Sequence, residues 1–183
     1  ANPILQETPD PVTKVTWDNY VTMSKSDMDS MGLNTYIAQE DMGSVVKVTV
    51  NGKSVELPAF MQPGQKPGTL GIALGYGRGS NGENIGQAAF QTGEKGEHLT
   101  QASGLPMPIG ANAYPLTSTS EGYTIYANYD VSIEATGAEY PLACTQIHNT
   151  YMGRESVVKE TSFDSYLAEA GKEKGEASWN KAH

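Results

Sequence analysis

Gly75-Tyr76-Gly77-Arg78-Gly79-Ser80-Asn81-Gly82 is the run whose residue types best suit an anion. Glycines at alternate positions let several backbone N–H groups converge on a phosphate, and Arg78 adds positive charge. The run follows a predicted strand, but no helical pattern succeeds it, so it is not a Rossmann dinucleotide fingerprint. A plain connecting loop, or a loop that covers a partner subunit, uses the same residues. The second candidate is Asn112 in Asn112-Ala113-Tyr114-Pro115-Leu116-Thr117. A carboxamide ahead of a proline-fixed segment can donate to and accept from a heterocycle, and it suits an Asx-turn equally well.

Other chemistries find less support. His98 and His148 have no second ligand at the spacing a zinc or iron site uses, so both are read as structural, and His183 stands in the tail. No Gly-x-Ser-x-Gly elbow is present, and no histidine has a readable acid and nucleophile beside it. Asp27 and Asp29 fall in a helix-cap region, where solvation accounts for them. Cys144 is the single cysteine, which excludes an internal disulfide, a four-cysteine zinc site and a cysteine-ligated cluster within these 183 residues. No residue emerges as a catalyst, and no metal is expected here.

The formal charge of -9 opposes nucleic acid and anionic lipid surfaces. No apolar run approaches the roughly 20 residues that span a bilayer. The opening ANPILQETPDPV has neither an initiator methionine nor a basic-then-apolar signal, so the chain reads as a piece of something longer.

The elements that must hold the candidate residues are mainly strands. Residues 1–13 carry three prolines and are expected to be an extended lead-in. A strand is predicted over 14–23, then a short helix opened by Ser24 with Met28 and Met31 on one face and Gly32 at its end. Val46, Val48 and Val50 alternate with Lys47 and Thr49 up to Asn51-Gly52, and Val55 and Leu57 alternate on the return, which is the strongest short-range hairpin signal in the chain. Residues 69–74 are apolar enough for a central strand. Nine glycines and no sustained period over 75–110 predict a long irregular excursion, functional or disordered. Regular structure is expected again over 123–136, with a further strand over 142–148. Phe163, Tyr166 and Leu167 stripe a closing helix capped by Ser162, and 171–183 reads as a charged linker.

Taken in order, Trp17-Asp18-Asn19-Tyr20, the block SVVKVTVNGKSVELPAFMQPGQKPGTLGIALGYGR at 44–78, GANAYPLT at 110–117 and IHNTYMGRESVVKE at 147–160 resemble the C-terminal molybdopterin-dinucleotide-binding domain of molybdenum oxidoreductases. They are more closely similar to its counterpart in the large, molybdopterin-oxidoreductase-like iron–sulfur subunit of alternative complex III, the quinol:electron-acceptor oxidoreductase of bacterial respiratory chains. The resemblance spans about 14–160 and implies a mainly β, α+β fold, a double-psi β-barrel with the 75–110 insertion, followed by a short helix and linker over 161–183. It implies that Asn19 and Asn112 stand where a molybdopterin guanine dinucleotide would be contacted, if one is bound; Gly75, Gly77, Arg78 and Gly79 keep the role that residue type suggests, an anion or partner loop. His148 and Arg154 match the late block without an assigned role.

In the alternative-complex family the pterin-binding portion is expected to have lost its cofactor and to act as scaffold, with iron–sulfur clusters in a region downstream of His183. The implied function is therefore a non-catalytic domain in an electron-transport complex on the periplasmic side of the inner membrane, beside haem-bearing and quinol-binding subunits. The alternative is the cofactor-binding domain of an active molybdopterin oxidoreductase.

Overall fold

A computed structural model of the chain describes residues 2–37, 41–79, 90–93, 95, 97–147 and 161–169. In chain order the elements are α1 (Pro3–Gln6), β1 (Val21–Met23), α2 (Lys25–Ser30), β2 (Gly43–Val50), β3 (Lys53–Met61), β4 (Gly71–Ile72), a 3-10 turn (Tyr114–Leu116), β5 (Ser118–Ser120), β6 (Tyr123–Ile125), β7 (Val131–Tyr140) and α3 (Phe163–Glu169). They group into two units, 1–145 and 146–183. The first is a mainly β, α+β structure, and the regular element described in the second is α3, whose Ser162 hydroxyl accepts from the Ser165 N–H at 3.2 Å as the predicted cap.

Alternating valines set the sheet. Val46, Val48 and Val50 are buried on one face of β2, while Lys47 and Thr49 are half-buried on the other, so the hairpin register follows the two-residue period. Asn51 and Gly52 have φ of 50° and 73°, the mirror-type turn whose twist matches the strands it joins. Beyond the turn, β3 runs antiparallel to β2 as far as the Val45–Pro58 pair, then runs parallel to β1 from Ala59 to Met61. Pro58 lacks an N–H, so it sits where one neighbour hands over to the next.

With β4 antiparallel to β1 and β7 antiparallel to β2, the order is β4-β1-β3-β2-β7. Val21, Met23, Leu57 and Ala59 join the β2 valines in the core, where each fully buried aliphatic side chain contributes about 1.5–3 kcal/mol.

The helix expected after the first strand forms as α2. Ser24, itself buried, accepts from the Asp27 N–H at 3.1 Å, and Met28 is fully buried. Losing that cap in Ser24→Ala is expected to lower stability by about 1 kcal/mol in urea unfolding.

Several expectations need correcting. The lead-in is not extended throughout: α1 and a turn at 11–13 fold it back, and the Gln6 carbonyl accepts from the Trp17 N–H at 2.7 Å. Positive φ at Lys14 and Trp17 shortens the first strand to β1, with a bridge from Val15 to Cys144. The strand expected over 69–74 is two residues long and lies at the end of the ladder, not its centre. Over 142–147 only the Cys144 bridge forms, and His148 lies outside the described residues. The regular stretch over 123–136 divides into β6 and β7. The first pairs with β5 around Glu121-Gly122, a second mirror-type turn with φ of 52° and 83° that carries no Asn-Gly signature in the sequence.

Candidate functional site

The backbone kinks at Trp17, and the next two side chains turn inward instead of continuing a strand. Asn19 is fully buried. Its Nδ2 donates to the carbonyls of Ala73 at 3.0 Å and Ala111 at 2.9 Å, and its Oδ1 accepts from the Ala111 N–H at 2.9 Å. One carboxamide thereby ties the entry to β1 to the exit from β4 and to the segment that closes the glycine-rich excursion. Asp18 works beside it: Oδ1 accepts from the Gly110 N–H at 3.0 Å, and Oδ2 accepts from the Tyr140 hydroxyl at 3.1 Å.

The glycine-rich run meets the same place from the other side. Gly75, Gly77 and Gly79 are buried, and the Gly77 N–H donates to the Ile109 carbonyl at 2.9 Å. A Cβ added to Gly77 would stand 2.2 Å from the Asn112 nitrogen, and one added to Gly110 would stand 2.5 Å from Asn19 Oδ1. Gly77 therefore lets the loops lie backbone against backbone, and Gly110 makes room for the Asn19 carboxamide. Arg78 Nη2 donates to Gln6 Oε1 at 2.5 Å, and Gln6 is buried. Asn112 is exposed, and its Oδ1 accepts from the Tyr114 N–H at 3.1 Å, the Asx-turn that leads into the 3-10 turn.

Gly77, Gly110, Asn19 and the Asn112 backbone thus meet in one node whose polar groups named above satisfy one another, while Gly75 and Gly79 are buried nearby in sequence and Arg78 is bonded to Gln6. Fitting a pterin dinucleotide would need open donors and acceptors, and Asn19 offers no exposed surface for one. Of the remaining sequence candidates, His98 stacks edge-on against Phe90 at 5.4 Å, with its Nδ1 buried. Asp29 pairs with Lys25 at the surface, and Asp27 Oδ2 accepts from the Gly68 N–H at 2.8 Å. His148, Arg154 and His183 lie outside the described residues.

Sequence reasoning missed the titratable pair Asp18 and Tyr140, because the two come from distant segments. Burial raises the Asp18 carboxyl above its ordinary range, against the lowering effect of its bonds from Tyr140 and Gly110. Burial likewise raises Tyr140, with the Asp18 charge adding to it, and raises Tyr76 beside the charges of Asp10 and Asp18. Tyr20, whose hydroxyl bonds that of Thr13, is pushed up to about 12, chiefly by burial, and burial pushes the Cys144 thiol up to about 11. At Asp10 burial also acts upward, but N–H donation from Thr13 and Val12, helped by the Thr13 hydroxyl and Lys14, holds the carboxyl below its ordinary range.

Folded Asp18 keeps its proton to higher pH than unfolded Asp18 does. Its stabilising contribution is therefore complete below the ordinary value of 3.8 and is lost as pH rises through the folded value. Asp18→Asn is expected to flatten that decline in a urea-denaturation series from pH 3 to 7. A series that falls as steeply as the unsubstituted chain's would assign the slope elsewhere.

A second feature lies on one face of the sheet, a cavity of about 660 Å³. Its walls include Met23 of β1, Val48 and Val50 of β2, Ile72 of β4, and Val131 and Ile133 of β7. Both terminal strands of the ladder therefore border one space. Among the described residues no cluster of three or more His, Cys, Asp or Glu side chains converges as for a metal ion, and no helix is long and apolar enough to cross a membrane. In comparison with known proteins, the chain matches no protein-family model and no curated sequence.

Proposed function

We propose that the chain is a non-catalytic, molybdopterin-binding-like scaffold domain of a respiratory quinol:electron-acceptor oxidoreductase of the alternative complex III kind. The single observation that carries the scaffold role is the state of Asn19, the position expected to contact a pterin. Its amide is committed to Ala73 and Ala111 in a fully buried place, holding loops instead of presenting a ligand surface. The finer fold assignment, a double-psi β-barrel, is part of the same proposal. It is supported by β3 changing from an antiparallel to a parallel neighbour and by the terminal strands β4 and β7 bordering one cavity, as in a sheet curling toward closure.

In this reading the domain fixes the spacing of haem-bearing and quinol-binding subunits on the periplasmic side of the inner membrane, and iron–sulfur clusters belong to a region beyond His183. The anion-type loop 75–79 acts as internal packing. The test is isolation of the natively expressed parent protein from solubilised membranes, with metal and pterin analysis. Co-purifying haem-bearing subunits without molybdenum, tungsten or pterin are the expected result. Stoichiometric metal and pterin would instead identify an active enzyme's cofactor-binding domain, and a parent protein free of haem-bearing partners would end the scaffold assignment.

A further inference from the structure

The outer edge of β7 and the cavity beside it together have the features of a peptide-binding groove. In the β2–β3 hairpin, Val50 and Lys53 flank a two-residue turn, so Val50 directs its N–H and C=O toward β3. Thr49 and Lys47 then direct theirs toward β7, opposite Ser132 and Glu134. It follows that Val131, Ile133 and Ala135 present N–H and C=O outward, on the side of β7 that pairs with no strand among the described residues. The side chains of Val131 and Ile133 lie on the cavity face, and Glu134 is on the opposite face.

Exposed aromatic side chains line the cavity beside this edge: Tyr126 is 66% and Tyr129 96% exposed. Clustered exposed aromatics of this kind mark contact surfaces. Acidic side chains outnumber basic ones here: no Lys or Arg occurs between Lys95 and Arg154, Asp130, Glu134 and Glu139 lie on or beside β7, and Lys47 of β2 stands opposite Glu134 on the same face.

We propose that β7 accepts an added strand from a partner polypeptide whose side chains alternate between cationic and apolar. Backbone groups of the partner would pair with Val131, Ile133 and Ala135, its apolar side chains would enter the cavity, and its cations would lie on the face that carries Glu134. A second copy of this chain is a poorer occupant, because it would bring the same excess of acidic residues to the edge. The inference does not depend on the scaffold role, since a free-standing domain with this edge would bind the same strand, but it requires that β7 not be closed against β4.

A fluorescent decapeptide of alternating lysine and valine is the probe, followed by anisotropy at physiological ionic strength. A peptide of equal charge interrupted by two prolines should bind at least about tenfold more weakly, because it cannot extend the ladder. Ala135→Pro removes an outward N–H without removing a β2 ladder bond and should also weaken binding of the regular peptide about tenfold, while Ala135→Val should stay within about twofold. Equal binding of the two peptides to the unsubstituted chain would reduce the effect to bulk charge and overturn the proposal, whether or not the proline variant folds. A concentration-dependent dimer in sedimentation that the peptide fails to disrupt would give the edge to a second copy and overturn it too.

Discussion

Gly77→Ala is expected to lower stability by about 3 kcal/mol or more, read as a large drop in the urea midpoint with an unchanged slope. Two costs combine. At φ of 67° an alanine Cβ is strained by about 1–2 kcal/mol. The same Cβ would lie 2.2 Å from the Asn112 nitrogen and 2.6 Å from the Ala111 carbonyl carbon, both main-chain atoms that cannot rotate aside. Relief requires the 75–79 and 109–112 loops to separate, which also breaks the Gly77-to-Ile109 bond. Gly64→Ala is the matched control: φ is 80° there, but the added Cβ would meet nothing within 4 Å, so only the strain of about 1 kcal/mol remains. Equal losses in the two variants would mean that the loops are not packed as described.

Asn19→Leu is expected to cost about 4 kcal/mol. The substitution keeps the approximate volume but leaves the Ala73 carbonyl, the Ala111 carbonyl and the Ala111 N–H without the side-chain partner that fully buried Asn19 supplies. Each such orphaned group costs about 1–3 kcal/mol. Asn19→Asp gives the more diagnostic result. An ionised carboxylate keeps acceptance from the Ala111 N–H but turns a negative oxygen toward two carbonyls, so the folded form favours the neutral acid. Burial and those carbonyls raise the folded value above the unfolded one, and the variant should therefore regain stability as pH falls through the acid range. An Asp variant whose stability follows pH between 4 and 7 no more steeply than the unsubstituted chain's, which already declines through Asp18, would show that Asn19 Nδ2 does not hold those carbonyls.

Both predictions concern a node whose members stand out in the sequence for another reason. Asn19, Asn112 and the glycines of 75–79 are residue types that suit ligand contact, and the same types suit tight backbone packing. A carboxamide that can donate twice and accept once bridges main-chain segments as well as it grips a heterocycle. A glycine that lets backbone approach a phosphate also lets backbone approach backbone. Asp18 and Tyr140, 122 positions apart, give no local signal, because their pairing exists only once β7 lies beside β2 and the chain turns inward at Trp17.

What the residues settled alone was local. Asn51-Gly52 between alternating valines dictated the hairpin and its register, because both turn positions need positive φ and a one-residue slip would expose three valines. Ser24, Met28 and Gly32 dictated α2 in the same way, through a cap, a buried face and a stop. Tertiary structure decided the length and rank of the remaining strands: the apolar run over 69–74 became a two-residue edge strand, since its neighbours in the sheet, not its composition, determine how far it can pair. It also decided that Asn19 is sealed inside and that, among the described residues, no strand pairs with the outer edge of β7, because burial and strand neighbours are set by segments far apart in the chain and have no period for a sequence to display.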